Sequence, residues 1–207
     1  MSRGGVGGIA PPEENAEKIR LFVALTPPSQ VLDDLDGACA AFRGSRDDLR
    51  WTSRAAWHVT LAFLGEVSEV ALTRFAPRLE RAARRHAAFG LAFAGAGAFP
   101  SSRRANVLWS GLEGDRRALA DLAASVAAAA RRAGAPTPDE GRKYRPHVTL
   151  ARCRVPADVR PVVEALSAYK GLPWRAEEVV LIRSRLSGQP RYETLGIWKL
   201  NQPQPGS

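Results

Sequence analysis

Apolar and polar positions change period repeatedly along this chain, and each change marks an element. Arg20-Leu21-Phe22-Val23-Ala24-Leu25 is apolar after its first residue, the pattern of a strand buried on both faces. Thr26-Pro27-Pro28 then opens a helix to about Phe42, with proline in the first turn, where a missing N–H costs nothing. A strand from His58 to Phe63 follows. Ser68 is placed to cap a helix to about Arg85 that carries Val70, Leu72, Phe75 and Leu79. Phe89 to Ala94 and Asn106 to Leu112 read as strands, and Gly95-Ala96-Gly97-Ala98 reads as a strand bend. Asp115 starts an alanine-rich helix that stops at Gly134. A strand from His147 to Cys153, a weaker helix from Asp158 to Ala168, a strong strand from Glu178 to Ile182 and a closing strand from Arg191 to Leu200 complete the chain. The order strand, helix, strand, helix, strand repeats loosely, which predicts an α+β fold of two similar lobes of antiparallel strands with flanking helices.

The two ends lack any periodicity. Residues 1–17 are rich in Gly and Pro and are expected to be a disordered leader, and 202–207 a disordered tail, around one bilobal domain at 18–201. No apolar run approaches the ~20 residues that span a bilayer, and the start lacks the apolar core of a signal peptide. A soluble, cytoplasmic protein is expected. Cys39 and Cys153 are the two cysteines and form no CxxC pair, so neither a disulfide framework nor a zinc knuckle is indicated. The net charge is +9, with 26 Arg against 4 Lys. That balance favours a polyanionic partner, but pairs such as Arg84-Arg85 and Arg131-Arg132 fall on solvated helix faces, so charge alone decides nothing.

The chemistry enters through a repeat. His-Val-Thr-Leu occurs at His58–Leu61 and again at His147–Leu150, 89 residues later, and the chain holds three histidines in all. In a strand, residues i and i+2 share a face, about 6.6 Å apart. Each copy therefore aims an imidazole and a hydroxyl the same way, and the aliphatic pair anchors the other face. Two such strands lining a cleft put two imidazoles and two hydroxyls around one small anion. Histidine ionises near neutrality, so one ring can take a proton while the other gives one. With no Cys, Asp or Glu nearby in ligand spacing, the histidines make a poor metal pair, and neither metal nor cofactor is expected. No G-x-x-x-x-G-K-[ST] loop is present, which argues against an NTPase. His86, between Arg84, Arg85 and a helix end, reads as a solvated surface residue.

With both motifs in view, the chain resembles the two-histidine phosphoesterases, and among them the RNA 2′,3′-cyclic phosphodiesterases once called 2′-5′ RNA ligases. The block Trp57 to Val67, Asn106 to Leu112, Tyr144 to Leu150 and Tyr192 to Leu195 fit that family's blocks in order, so the likeness covers roughly residues 19 to 200. The resemblance implies hydrolysis of RNA 2′,3′-cyclic phosphate ends to 2′-phosphomonoesters, in an active-site cleft between the lobes. His58 would be the proton donor and His147 the proton acceptor, with Thr60 and Thr149 on the phosphate oxygens. Arg145 and Arg185 are candidate substrate contacts, and Trp51, Trp57, Phe22 or Tyr144 can stack a base, although such aromatics more often belong to a core. The same site can run in the 2′-5′ ligase direction or act on a small cyclic nucleotide, and a non-catalytic RNA-end binder would be expected to lack one of the four motif residues. RNA with a cyclic phosphate end (tRNA fragments included) is the expected partner, and a monomer the expected state.

Overall fold

The computed structural model describes residues 18–185 and 190–202. The expected leader at 1–17, residues 186–189 and most of the expected tail lie outside the described residues. Among the described residues, nine strands form two sheets in which every strand pairing is antiparallel. The first sheet comprises β1 (Ile19–Leu25), β3 (Val59–Val67), β8 (Glu178–Ser184) and β9 (Tyr192–Lys199), in the order β3-β1-β8-β9. The second comprises β2 (Leu49–Trp51), β4 (Phe89–Phe99), β5 (Ala105–Gly114), β6 (Val148–Ala157) and β7 (Trp174–Ala176), in the order β2-β6-β5-β4-β7. Helices α1 (Ser29–Arg43), α2 (Glu69–Arg84), α3 (Arg116–Ala133) and α4 (Arg160–Ala165) connect them. The expected α+β class is what is found. The lobes, however, are not the two halves of the chain, because the first sheet joins β1 and β3 to β8 and β9 from the far end.

Local signals explain most element ends. The Ser68 hydroxyl accepts from the Ala71 N–H, and an Asp115 carboxylate oxygen from the Ala118 N–H at 2.8 Å. Each satisfies an otherwise orphaned donor of the first turn, worth about 1 kcal/mol. Gly134 ends α3 at φ 79°, a left-handed cap that glycine adopts without a Cβ clash. On α3, Leu119, Leu122, Ala123, Val126, Ala129, Ala130 and Ala133 are buried at helical spacing.

Some boundaries differ from the sequence reading. β2 and β7 hold three residues each, too short to show a period. β4 continues to Phe99 beyond the expected bend, which Gly95 makes at φ 60° as the register shifts between Ala94 and Ala96. The weak helix after Asp158 stops at Ala165. Beyond it the Tyr169 carbonyl accepts from Gly95, and Lys170 bridges to Ala94, so the sheet claims the backbone. His86 is not a free surface residue. It is half-buried, and its Nε2 lies 2.9 Å from the Ser125 hydroxyl on α3, because α2 and α3 pack together there.

One large core gathers residues of both sheets and the helices. Leu21, Val23 and Leu25 point into it. The alternate residues of β1, Phe22 and Ala24, form a smaller cluster with Val180, Ile182 and Tyr192 on the opposite face of the first sheet. That second apolar face is the floor on which one motif sits.

Candidate active site

Both histidines stand immediately before their strands, His58 ahead of β3 and His147 ahead of β6, and each motif belongs to a different sheet. Val59 and Leu61 are buried on the core side, as are Val148 and Leu150. This alternation turns the imidazole and Thr60 or Thr149 toward the other face. Thr60 pairs with Ala24 of β1, and Thr149 with Trp109 of β5.

Aromatic rings pack around each imidazole. Phe22 lies 4.6 Å from the His58 ring centroid, and Tyr192 meets it edge-on at 5.4 Å. On the other sheet, Phe99 contacts His147 edge-on at 5.1 Å and Trp109 lies 6.1 Å away. Trp109 in turn lies over Gly97 of β4, where a Cβ would come within 2.3 Å of its ring, so only glycine leaves the indole room.

The two imidazoles differ in their hydrogen bonds. His147 Nδ1 is 2.7 Å from the Arg145 carbonyl oxygen. A carbonyl only accepts, so Nδ1 carries the hydrogen, and the neutral ring presents a lone pair at Nε2. His58 has no hydrogen-bond partner among the described residues and is held by ring packing alone. Burial, and to a lesser extent the charge of His147, lower its pKa to about 4. Burial also lowers the pKa of His147; the Arg145 carbonyl works against that shift and the charge of Arg152 adds to it.

The 2′-5′ RNA ligase superfamily matches residues 27–188. The chain belongs to that superfamily. An RNA 2′,3′-cyclic phosphodiesterase of Escherichia coli is 34% identical over 191 residues, covering 90% of this chain and 99% of that protein. The protein of the same name from Aquifex aeolicus is 30% identical over 142 residues, covering 67% of this chain and 74% of the relative. The crystal structure of E. coli LigT with 3′-AMP superimposes with a TM-score of 0.72 at 28% identity, covering 90% of this chain and all of that one.

In this superfamily member the two candidate arginines differ in how free their guanidinium groups are. Arg145 contributes its backbone carbonyl to His147, and its exposed guanidinium has no partner among the described residues. Arg185 is already committed to Glu193, at 2.7 Å. Of the candidate stacking aromatics, Trp57 and Phe22 are buried, Trp51 carries the Arg43 guanidinium 5.2 Å from its ring centroid, and Tyr144 is half-buried with its hydroxyl engaged.

Two participants gave no readable signal. Arg152 shares the face of Thr149, although it lies three positions further along. The register shifts between Leu108↔Ala151 and Trp109↔Thr149, so β6 carries an extra residue and its parity flips. A strict two-residue period would have chosen the buried Ala151. Thr52 is the other. Its hydroxyl contacts the carbonyl oxygens of Thr149 at 2.7 Å and Leu150 at 2.9 Å, and accepts from the Trp57 indole N–H at 2.8 Å. The residue before His58 is thereby tied to the strand of the other motif.

Proposed function

We propose that this chain is an RNA 2′,3′-cyclic phosphodiesterase, carried by residues 18–201 acting as one two-lobed domain. The observation that carries the reading is the pair of His-Val-Thr-Leu motifs, each on its own sheet, with the imidazole and the threonine of each turned away from the core. Water attacks phosphorus as His147 Nε2, left basic by the Nδ1–H bond to Arg145, takes its proton. The bond from phosphorus to the ribose 3′-oxygen breaks, and His58 delivers a proton to that oxygen, leaving a 2′-phosphomonoester. His58 is neutral in the free protein near pH 7 and gains its proton when the substrate's negative charge enters the cleft and raises its pKa. The Thr60 and Thr149 hydroxyls donate to the non-bridging oxygens, where charge builds in the transition state. Relatives named RNA 2′,3′-cyclic phosphodiesterase and the +9 charge support an RNA end as substrate. Both motifs lie in one chain, which supports a monomer, and no helix is long and apolar enough to cross a membrane among the described residues, which fits a cytoplasmic reading.

The test is incubation of the purified chain, in EDTA, with a short RNA ending in a 2′,3′-cyclic phosphate, resolving 2′- from 3′-phosphate products. A 2′-phosphate that His58→Ala and His147→Ala each reduce by about 10²- to 10⁴-fold is expected. Turnover surviving both substitutions sinks the reading, and joining of an added 5′-hydroxyl RNA would redirect it to ligation.

A further inference from the structure

The cleft face of the first sheet continues past the histidine. Arg20, Phe22 and Ala24 alternate along β1, and Phe22 pairs with Phe63 of β3. The ring centroids of Phe22 and Phe63 are 5.9 Å apart, so the aromatic surface runs from His58 through Phe22 to Phe63. Phe22 is buried, but Phe63 is 43% exposed, a large apolar ring left open to solvent at the end of a catalytic cleft. Beside it is a cavity of about 260 Å³ lined by Arg20, Phe63, Gly65, Pro138 and Asp139. Asp139 is ion-paired to Arg142, whereas Arg20 is exposed and pairs with no acid among the described residues, although Glu66 stands opposite it in register.

We propose that Phe63 and Arg20 form a subsite for the nucleobase one position upstream of the cyclic phosphate, which makes an oligonucleotide end, rather than a mononucleotide, the preferred substrate. The inference rests on the phosphodiesterase reading. Phe22 is buried against His58 and backs its ring, so the terminal nucleoside sits at the His58 edge of this surface, and the exposed Phe63, 5.9 Å beyond Phe22, is the next ring open to a base. An exposed ring stacks any base, and a guanidinium plane beside it adds a second stacking surface and a charge for the connecting phosphate. Phe63 belongs to neither buried cluster, although its ring packs on Phe22, so thermal melts accompany its replacement.

The experiment compares kcat/KM on adenylyl-adenosine 2′,3′-cyclic phosphate and on 2′,3′-cyclic AMP for wild type, Phe63→Ala and Phe63→Trp, with thermal melts beside them. The expected result is a dinucleotide-to-mononucleotide ratio about tenfold lower in Phe63→Ala and restored in Phe63→Trp. An unchanged ratio, or an equal loss on both substrates, overturns the subsite. A wild-type chain that hydrolyses neither substrate overturns the phosphodiesterase reading instead. The subsite is then decided by equilibrium binding of a penta-adenylate: weaker binding by Phe63→Ala upholds it, and equal binding removes it.

Discussion

The Tyr144 hydroxyl donates a 3.0 Å hydrogen bond to the backbone carbonyl of Thr60. Tyr144 lies three residues before His147, so the approach to one motif clamps the strand of the other. The reverse clamp exists as well, where Thr52, six residues before His58, holds the carbonyl of Thr149. Each threonine that faces the cleft thus has its own peptide pinned from the opposite motif. Burial pushes the Tyr144 phenol well above its usual range, so it stays a neutral donor.

These clamps tie each motif to the approach of the other. Tyr144→Phe keeps the ring but leaves the Thr60 carbonyl without its partner, and should cost about 1–3 kcal/mol of stability. The catalytic loss should appear in kcat more than in KM. Urea melts and steady-state kinetics of Tyr144→Phe and Thr52→Val check this, and wild-type kcat in both would remove the clamps from the mechanism.

Thr60→Val and Thr149→Val preserve shape and strand preference while deleting the hydroxyl. Loss of one donor to a transition-state oxyanion costs about 10²- to 10³-fold in kcat. Single-turnover rates on a cyclic-phosphate RNA should fall accordingly for each, with melting temperatures near wild type. Threonines that serve only the strand would leave the rates intact.

The depressed histidine pKa values have consequences in both activity and stability. Both imidazoles are held below 6.5, so both limbs of the kcat/KM profile, which reports the free protein, should lie on the acid side of neutrality. For stability the sign follows from proton uptake. Between pH 6.5 and about 4 the unfolded chain binds a proton that folded His58 does not, so stability falls as pH drops through that window. The contribution of His58 amounts to about 3 kcal/mol across the window. Urea denaturation at pH 7 and pH 4.5 should show a smaller acid loss in His58→Gln than in wild type; identical losses would mean that His58 titrates normally.

Arg152 lowers the pKa of His147 through its charge. Arg152→Gln should therefore raise the pH at which His147 titrates in an NMR experiment and move the corresponding limb of kcat/KM upward. An unmoved His147 resonance would show that the two groups do not interact.

What the chain determines by itself is local. Helix caps at Ser68 and Asp115, the stop at Gly134 and the face shared by a His and the Thr two residues later all depend on groups a few residues apart, which is why they were readable. The residues that respond to longer distances were not. Whether β1 lies beside β8 is decided by which pairing buries Leu21, Val23 and Leu25 on one face and Phe22 and Ala24 on the other. The bulge after Thr149 that brings Arg152 to the cleft face arises from the register with β5, and a two-residue period contains no sign of it. The same holds for His86, drawn against Ser125 by helix packing, and for the aromatic cage that desolvates His58. Sequence determined which groups could do acid-base chemistry on a phosphate; tertiary structure decided how deeply each was buried and what it faced, because burial and register are properties of the whole packed chain.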